Sequence, residues 1–140
     1  QVQFYIVGNN PAKSIKKLAH NDGVTVTGFV QDMRKYYKMA DVCVVPLRIA
    51  RGLQNKILEA MVTGNSVVAT SSASNGIICH DKEDIIIADH EDIFAQQVIN
   101  LLKNPKHRLE MGRRASENIC HNYLWEKNLK QLNELLQSDD

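Results

Sequence analysis

Arg48, Arg51 and Lys56 stand close together in the chain, with Gly52 among them and Glu59 shortly after. That set suits an anion. Gly52 lets backbone approach a ligand closely, and the first amides of a helix starting near Gln54 to Lys56 lack internal partners and carry the positive end of the dipole. A phosphate could bind there. A lysine in a first turn is opposed by the dipole unless something negative is near, and a phosphate supplies it. Glu59 lies a turn further on. Helical side chains lean toward the N-terminus, so its carboxylate is directed toward the same loop, where a hydroxylated ring could share the site. A purely structural reading stands beside this one. Lys56 and Glu59 would form a solvated pair worth about 0.2–0.5 kcal/mol, and both arginines would be ordinary surface charge.

The elements that must position these residues follow from hydropathy. Val42 to Val45 is a β-branched run closed by Pro46, the pattern of a central strand buried on both faces. From about Gln54 to Thr63, Ile57, Leu58 and Met61 fall on one helical face, and Gly64 ends the helix as a C-cap. Ser66 to Ala69 resumes the strand pattern. Two strands joined by a helical crossover are parallel and almost always right-handed, so this is a βαβ unit.

The rest of the chain repeats the theme. Val2 to Val7 reads as a strand, Pro11 as the first residue of a helix through about His20, and Val24 to Thr27 as a second strand ending at Gly28-Phe29-Val30. Asp32 can cap a helix over Met33 to Ala40, in which Tyr36, Tyr37 and Met39 are packing residues. Thr70 to Gly76 reads as a Ser- and Asn-rich loop. Ile85 to Ala88 is a last strand, Asp89 caps a helix from about His90 to Lys103, and Pro105 opens another to about His121. Trp125, Leu129, Leu132 and Leu136 give the final segment an apolar stripe, more often a docking face than a cofactor box. The loops after Val7, Thr27, Val45 and Ala69 all leave carboxyl ends of strands, where open α/β sheets bind ligands, and are expected to line one crevice. Isolated glycines such as Gly8 and Gly28 are, on the residues alone, turn residues.

Composition narrows the function classes. The 140 residues, 44% hydrophobic, fill one good core and leave no room for a second domain of this type. A net charge of +1 and a pI near 7.9 give no argument for nucleic acid, and no apolar run approaches a membrane span. Cys43, Cys79 and Cys120 are an odd number at scattered spacing, and a reducing cytoplasm fits best. Cys79, His80, Asp81 and His90 lack zinc-like spacing, so no metal and no cofactor is expected. His20, His107 and His121 read as surface residues, and no catalytic triad is visible.

Gly52-Leu53-Gln54-Asn55-Lys56-Ile57-Leu58-Glu59-Ala60-Met61, then Gly64 and Val67-Val68-Ala69, resembles the donor-site segment of the retaining glycosyltransferases known as glycosyl transferases group 1. The likeness runs along nearly the whole chain. It takes in Tyr5-Ile6-Val7-Gly8, Val26-Thr27-Gly28-Phe29-Val30, Tyr37 with Ala40-Asp41-Val42, and the tail around Tyr123 to Glu126. The resemblance implies an α/β, Rossmann-like parallel sheet flanked by helices, one half of a GT-B enzyme. Residues 1–140 would be its single C-terminal, donor-binding domain, a fragment lacking that domain's first strand and helix.

What the resemblance implies for the site is specific. Backbone near Gly28, Phe29 and Val30 would read the base, with Gly8 at the neighbouring strand end. Amides around Gly52, Leu53, Gln54 and Asn55 would meet the diphosphate, Leu53 would pack beside the nucleoside, and Glu59 would hold ribose hydroxyls. Arg51 and Lys56 are expected to stabilise the leaving group. Two departures stand out. The family's Glu-x7-Glu motif ends at Glu59 but has Arg51 where the first glutamate helps place the sugar. The upstream arginine and lysine that bind the diphosphate are not in this chain. The expected function is retaining transfer of a sugar from a UDP- or GDP-sugar to an acceptor, in polysaccharide or glycoconjugate assembly. The partners implied are an acceptor-binding N-terminal domain of the same enzyme and, for the full enzyme, the membrane periphery. The piece alone is expected not to transfer sugar at a useful rate. The alternative is a non-catalytic Rossmann-like module that binds a nucleotide or a protein.

Overall fold

The computed structural model describes residues 2–123. The expected apolar stripe of Trp125, Leu129, Leu132 and Leu136, and residues 124–126 of the tail segment, lie outside the described residues. The chain divides into two compact units, one running through Lys38 and the other starting at Met39.

In the first unit, strand β1 (Phe4–Val7) pairs in parallel with β2 (Val24–Gly28), with a shift in register between Ile6 and Val7. The crossover between them is α1 (Lys13–Lys17) followed by a 3-10 turn over Leu18–His20. This corrects the expected helix from Pro11. Asn10 sits at φ 48° and Ala12, extended and without a side-chain acceptor, becomes the N-cap. Asp32 caps α2 (Arg34–Met39) as expected, its carboxylate accepting from Arg34 N at 2.9 Å. Tyr36 packs a tilted ring against Tyr5, with centroids 6.0 Å apart.

The second unit holds every residue that is buried among those described. Strands β3 (Val42–Val45) and β4 (Ser66–Ala69) pair in parallel across the crossover helix α3 (Asn55–Val62), and β4 pairs in parallel with β5 (Ile86–Ile87). Ile57, Ala60 and Met61 are the buried face of α3, and Gly64 closes it with its amide on the Met61 carbonyl at 2.9 Å. Helices α5 (Glu91–Lys103) and α6 (Pro105–Asn122) follow. Val68, Ile86, Leu101 and Met111 form a buried cluster, with Phe94 and Val98 packed on it. Burial at about 25 cal/mol per Å² of apolar surface is what holds these helices to the sheet.

Two details correct the expectation. Residues expected to be a loop after Ala69 contain a one-turn helix, α4 (Ser71–Ser74), capped by the Thr70 hydroxyl, which accepts from Ala73 N. The cap of α5 is His90, not Asp89: His90 Nδ1 accepts from Asp92 N at 3.3 Å, while Asp89 is engaged by Ser71. Pro105 does open α6, with Asn104 as the cap through Oδ1 to His107 N.

The contact of α6 with the end of α3 is very close. A Cβ placed on Gly112 would lie 2.0 Å from the Gly64 carbonyl oxygen, so only glycine fits there. Ser116 adds a hydroxyl bond to the Val62 carbonyl at 3.1 Å.

Candidate functional site

The second unit gathers the residues from Arg51 to Glu59 at one end of α3. Gly52 has φ 67°, a conformation that costs other L residues roughly 1–2 kcal/mol. Gln54 is the extended N-cap, but its side chain turns back on the loop. Its Nε2 donates to the carbonyls of Arg51 at 3.2 Å and Gly52 at 3.1 Å. The residue expected to serve through its amide therefore also staples the loop with its side chain.

This leaves the N-terminus of α3 without a side-chain cap and without an acidic residue in its first turn. The starts of α5 and α6 differ: both are side-chain capped, and α5 opens with Glu91 and Asp92. At α3, among the described residues, no side-chain cap and no first-turn acid answers the positive end of the dipole. Arg51 and Lys56 are exposed beside it and, among the described residues, form no ion pair. Arg48, expected in the same cluster, is instead paired with Glu91. Leu53 is 45% exposed and lies 4.0 Å from where a Cβ on Gly76 would stand. Glu59 is exposed on α3, one turn beyond Asn55. Open amides, two exposed cations and a carboxylate a turn away can bind a phosphorylated, hydroxylated ligand.

In the first unit Gly8 and Gly28 are brought together, Gly8 N donating to the Gly28 carbonyl at 3.2 Å. Gly28 and Phe29, with Asn9, Asn10 and Lys16, line an open concavity of about 390 Å³. Phe29 is 73% exposed. Val30 lines a different concavity of about 670 Å³, with Asp32, Arg34 and Tyr36.

Of the residues weighed as metal ligands, His90 caps α5, and His80 and Asp81 bond to neighbours in the segment before β5. Asp84 is buried, and its carboxylate accepts from His80 N at 2.8 Å and Asn118 Nδ2 at 2.6 Å. Asp81 accepts from Ile87 N at 2.8 Å. Burial in β3 pushes the Cys43 thiol up to about 11, so it stays protonated near neutral pH and packs as a small apolar group.

The family model described as "Glycosyl transferases group 1" matches residues 1–104. The chain belongs to this family. A curated relative, an uncharacterised glycosyltransferase of Methanocaldococcus jannaschii, is 26% identical over 131 residues, covering 88% of this chain and 33% of that protein. The chain spans 24% and 33% of the lengths of two curated relatives that it matches. Among solved structures, the sucrose-phosphate synthase of Thermosynechococcus elongatus superposes with a TM-score of 0.77 at 22% identity, over 99% of this chain and 39% of that one. The Anabaena protein HepE, solved in complex with UDP and glucose, gives a TM-score of 0.82 at 16% identity, over 98% of this chain and 40% of that one. The α/β architecture of this group 1 chain, parallel strands flanked by helices, is that of its GT-B glycosyltransferase neighbours.

Proposed function

We propose that the chain is the donor-binding domain of a retaining glycosyltransferase that takes a UDP- or GDP-sugar. The observation that carries this is the open N-terminus of α3 beside Arg51 and Lys56, in a chain of this family. HepE, a structural neighbour, is solved with UDP and glucose. In the complete enzyme the anomeric carbon–oxygen bond to the diphosphate breaks, and an acceptor oxygen takes its place on the same face. The residues here act on the leaving group. The α3 dipole, the amides from Gly52 to Asn55, and the cations Arg51 and Lys56 offset charge developing on the diphosphate, without need of a metal. Glu59 accepts from ribose hydroxyls. In the first unit, Gly8, Gly28, Phe29 and Val30 are assigned to the base. An acceptor-binding domain belongs to the same enzyme, which works in the cytoplasm and at the membrane periphery on polysaccharide or glycoconjugate assembly; this piece alone does not turn over.

The test is an amide NMR titration with uridine, guanosine and adenosine diphosphates, repeated on Glu59→Ala. The expected result is shifts at Gly52 to Glu59 and at Gly28 to Val30 for one base. Charged hydrogen bonds of about 1.5–3 kcal/mol make Glu59→Ala roughly ten- to a hundredfold weaker. An unchanged affinity rejects the ribose assignment.

Arg51 in place of the family's glutamate favours a second reading, a module that holds a nucleotide without transferring sugar. A longer chain carrying the acceptor domain separates the two. Sugar transfer supports the enzyme, and nucleotide binding without transfer supports the module.

A further inference from the structure

The loop between β3 and α3 is held from outside itself. Thr70 is buried at the end of β4, and its hydroxyl donates to the Leu47 carbonyl at 2.5 Å. Two residues on, Ser72 Oγ accepts from Ala50 N at 3.1 Å. The turn that carries both hydroxyls is itself tied down: Ser71 donates through N and Oγ to one carboxylate oxygen of Asp89, at 2.8 and 2.9 Å. So α4 is bonded on one side to the segment after β5 and on the other to the loop after β3. The exposed Arg48–Glu91 pair spans the same gap, where solvent screening leaves it little weight. Together with the Gln54 staple on Arg51 and Gly52, these bonds fix the loop at Leu47, Ala50, Arg51 and Gly52.

We infer that Thr70, Ser72 and Asp89 are positioning residues for the diphosphate, a clasp that presents the Gly52 to Asn55 amides in binding geometry; this rests on the donor-site reading above. An anion site built from backbone amides binds more tightly when the amides are fixed before the ligand arrives, because ordering a loop on binding subtracts from affinity. The clasp supplies that order. Ser72 is its most informative member, since its hydroxyl is the acceptor of a loop amide and its side chain is small.

The experiment measures the affinity of this chain for uridine, guanosine and adenosine diphosphates by amide NMR, together with exchange at the Ala50 amide and thermal unfolding. For the tightest of the three, Ser72→Ala is expected to weaken binding about three- to tenfold and speed Ala50 exchange. The melting temperature should fall by about 3–6 °C, the share of one lost hydrogen bond of about 1 kcal/mol, and binding is read well below it. Ser72→Thr, which keeps the hydroxyl, restores affinity, and Asp89→Ala weakens binding with Ser72 intact. Wild-type affinity in Ser72→Ala despite fast Ala50 exchange overturns the inference alone. So does a loss that follows the melting temperature and is not rescued by threonine. If the unaltered chain binds none of the three diphosphates, the donor reading itself fails and the inference falls with it.

Discussion

Arg51 and Lys56 carry the proposed action on the leaving group; the sequence marks them because charge, a glycine and a helix start fall within one short stretch, and the structure leaves both exposed beside α3. Arg48 looked equivalent in the sequence. In the structure it differs from them in being paired with Glu91, distant in the chain, and no local pattern reports a partner that far away. Charge reversal tests the remaining two. Lys56→Glu should weaken diphosphate binding about tenfold at low salt, with the gap narrowing as salt rises, since exposed charges are screened. Arg51→Glu places the family's usual residue at this position. If Arg51 acts on the leaving group, turnover of the full enzyme falls in that variant. Unchanged turnover removes the role, and increased turnover makes the glutamate's placing of the sugar the stronger effect.

Among the elements, β3, α3 and β4 were readable nearly to the residue because β-branched runs, Pro46 and Gly64 mark their ends in the sequence itself. Helix α4 was not. Ser and Thr favour turns and helix caps alike, and what decides between them here is Asp89, which binds Ser71 and leaves the cap of α5 to His90. Helix α6 offers two tests. Gly112→Ala should destabilise the chain by about 1–3 kcal/mol in urea unfolding, although alanine alone favours a helix by about 1 kcal/mol over glycine, because its methyl meets the Gly64 carbonyl. On the exposed face, hydrogen bonds from Arg113 and Arg114 hold the Glu110 carboxyl at about 2. A depressed carboxyl stabilises the folded chain above its ordinary range and loses that contribution as pH falls from about 4.5 through about 2. Thermal unfolding of Glu110→Gln and the unaltered chain should therefore differ at pH 6 and converge toward pH 2; a constant difference rejects the assignment.

Across the whole molecule, packing is uneven. Each buried residue among those described belongs to the unit from Met39, whereas Phe4, Tyr5, Leu18 and Phe29 of the first unit stay exposed. Amides of β1 and β2 should therefore exchange with solvent well before those of β4, where all four residues are buried. Equal protection would mean that the two units open together. That no described residue of the first unit is fully buried was not legible, since Phe4, Tyr5 and Ile6 read like any strand and burial is a property of neighbours. The glycines extend the contrast to how freely the gene can vary. In a library selected only for folded protein, position 112 should return glycine almost alone, while position 8, with open space around it and an unremarkable backbone angle, should accept nearly any residue. A second selection of the same library for nucleotide binding would then separate roles: if glycine returns at position 8 only there, the ligand, not the fold, is what keeps that site bare.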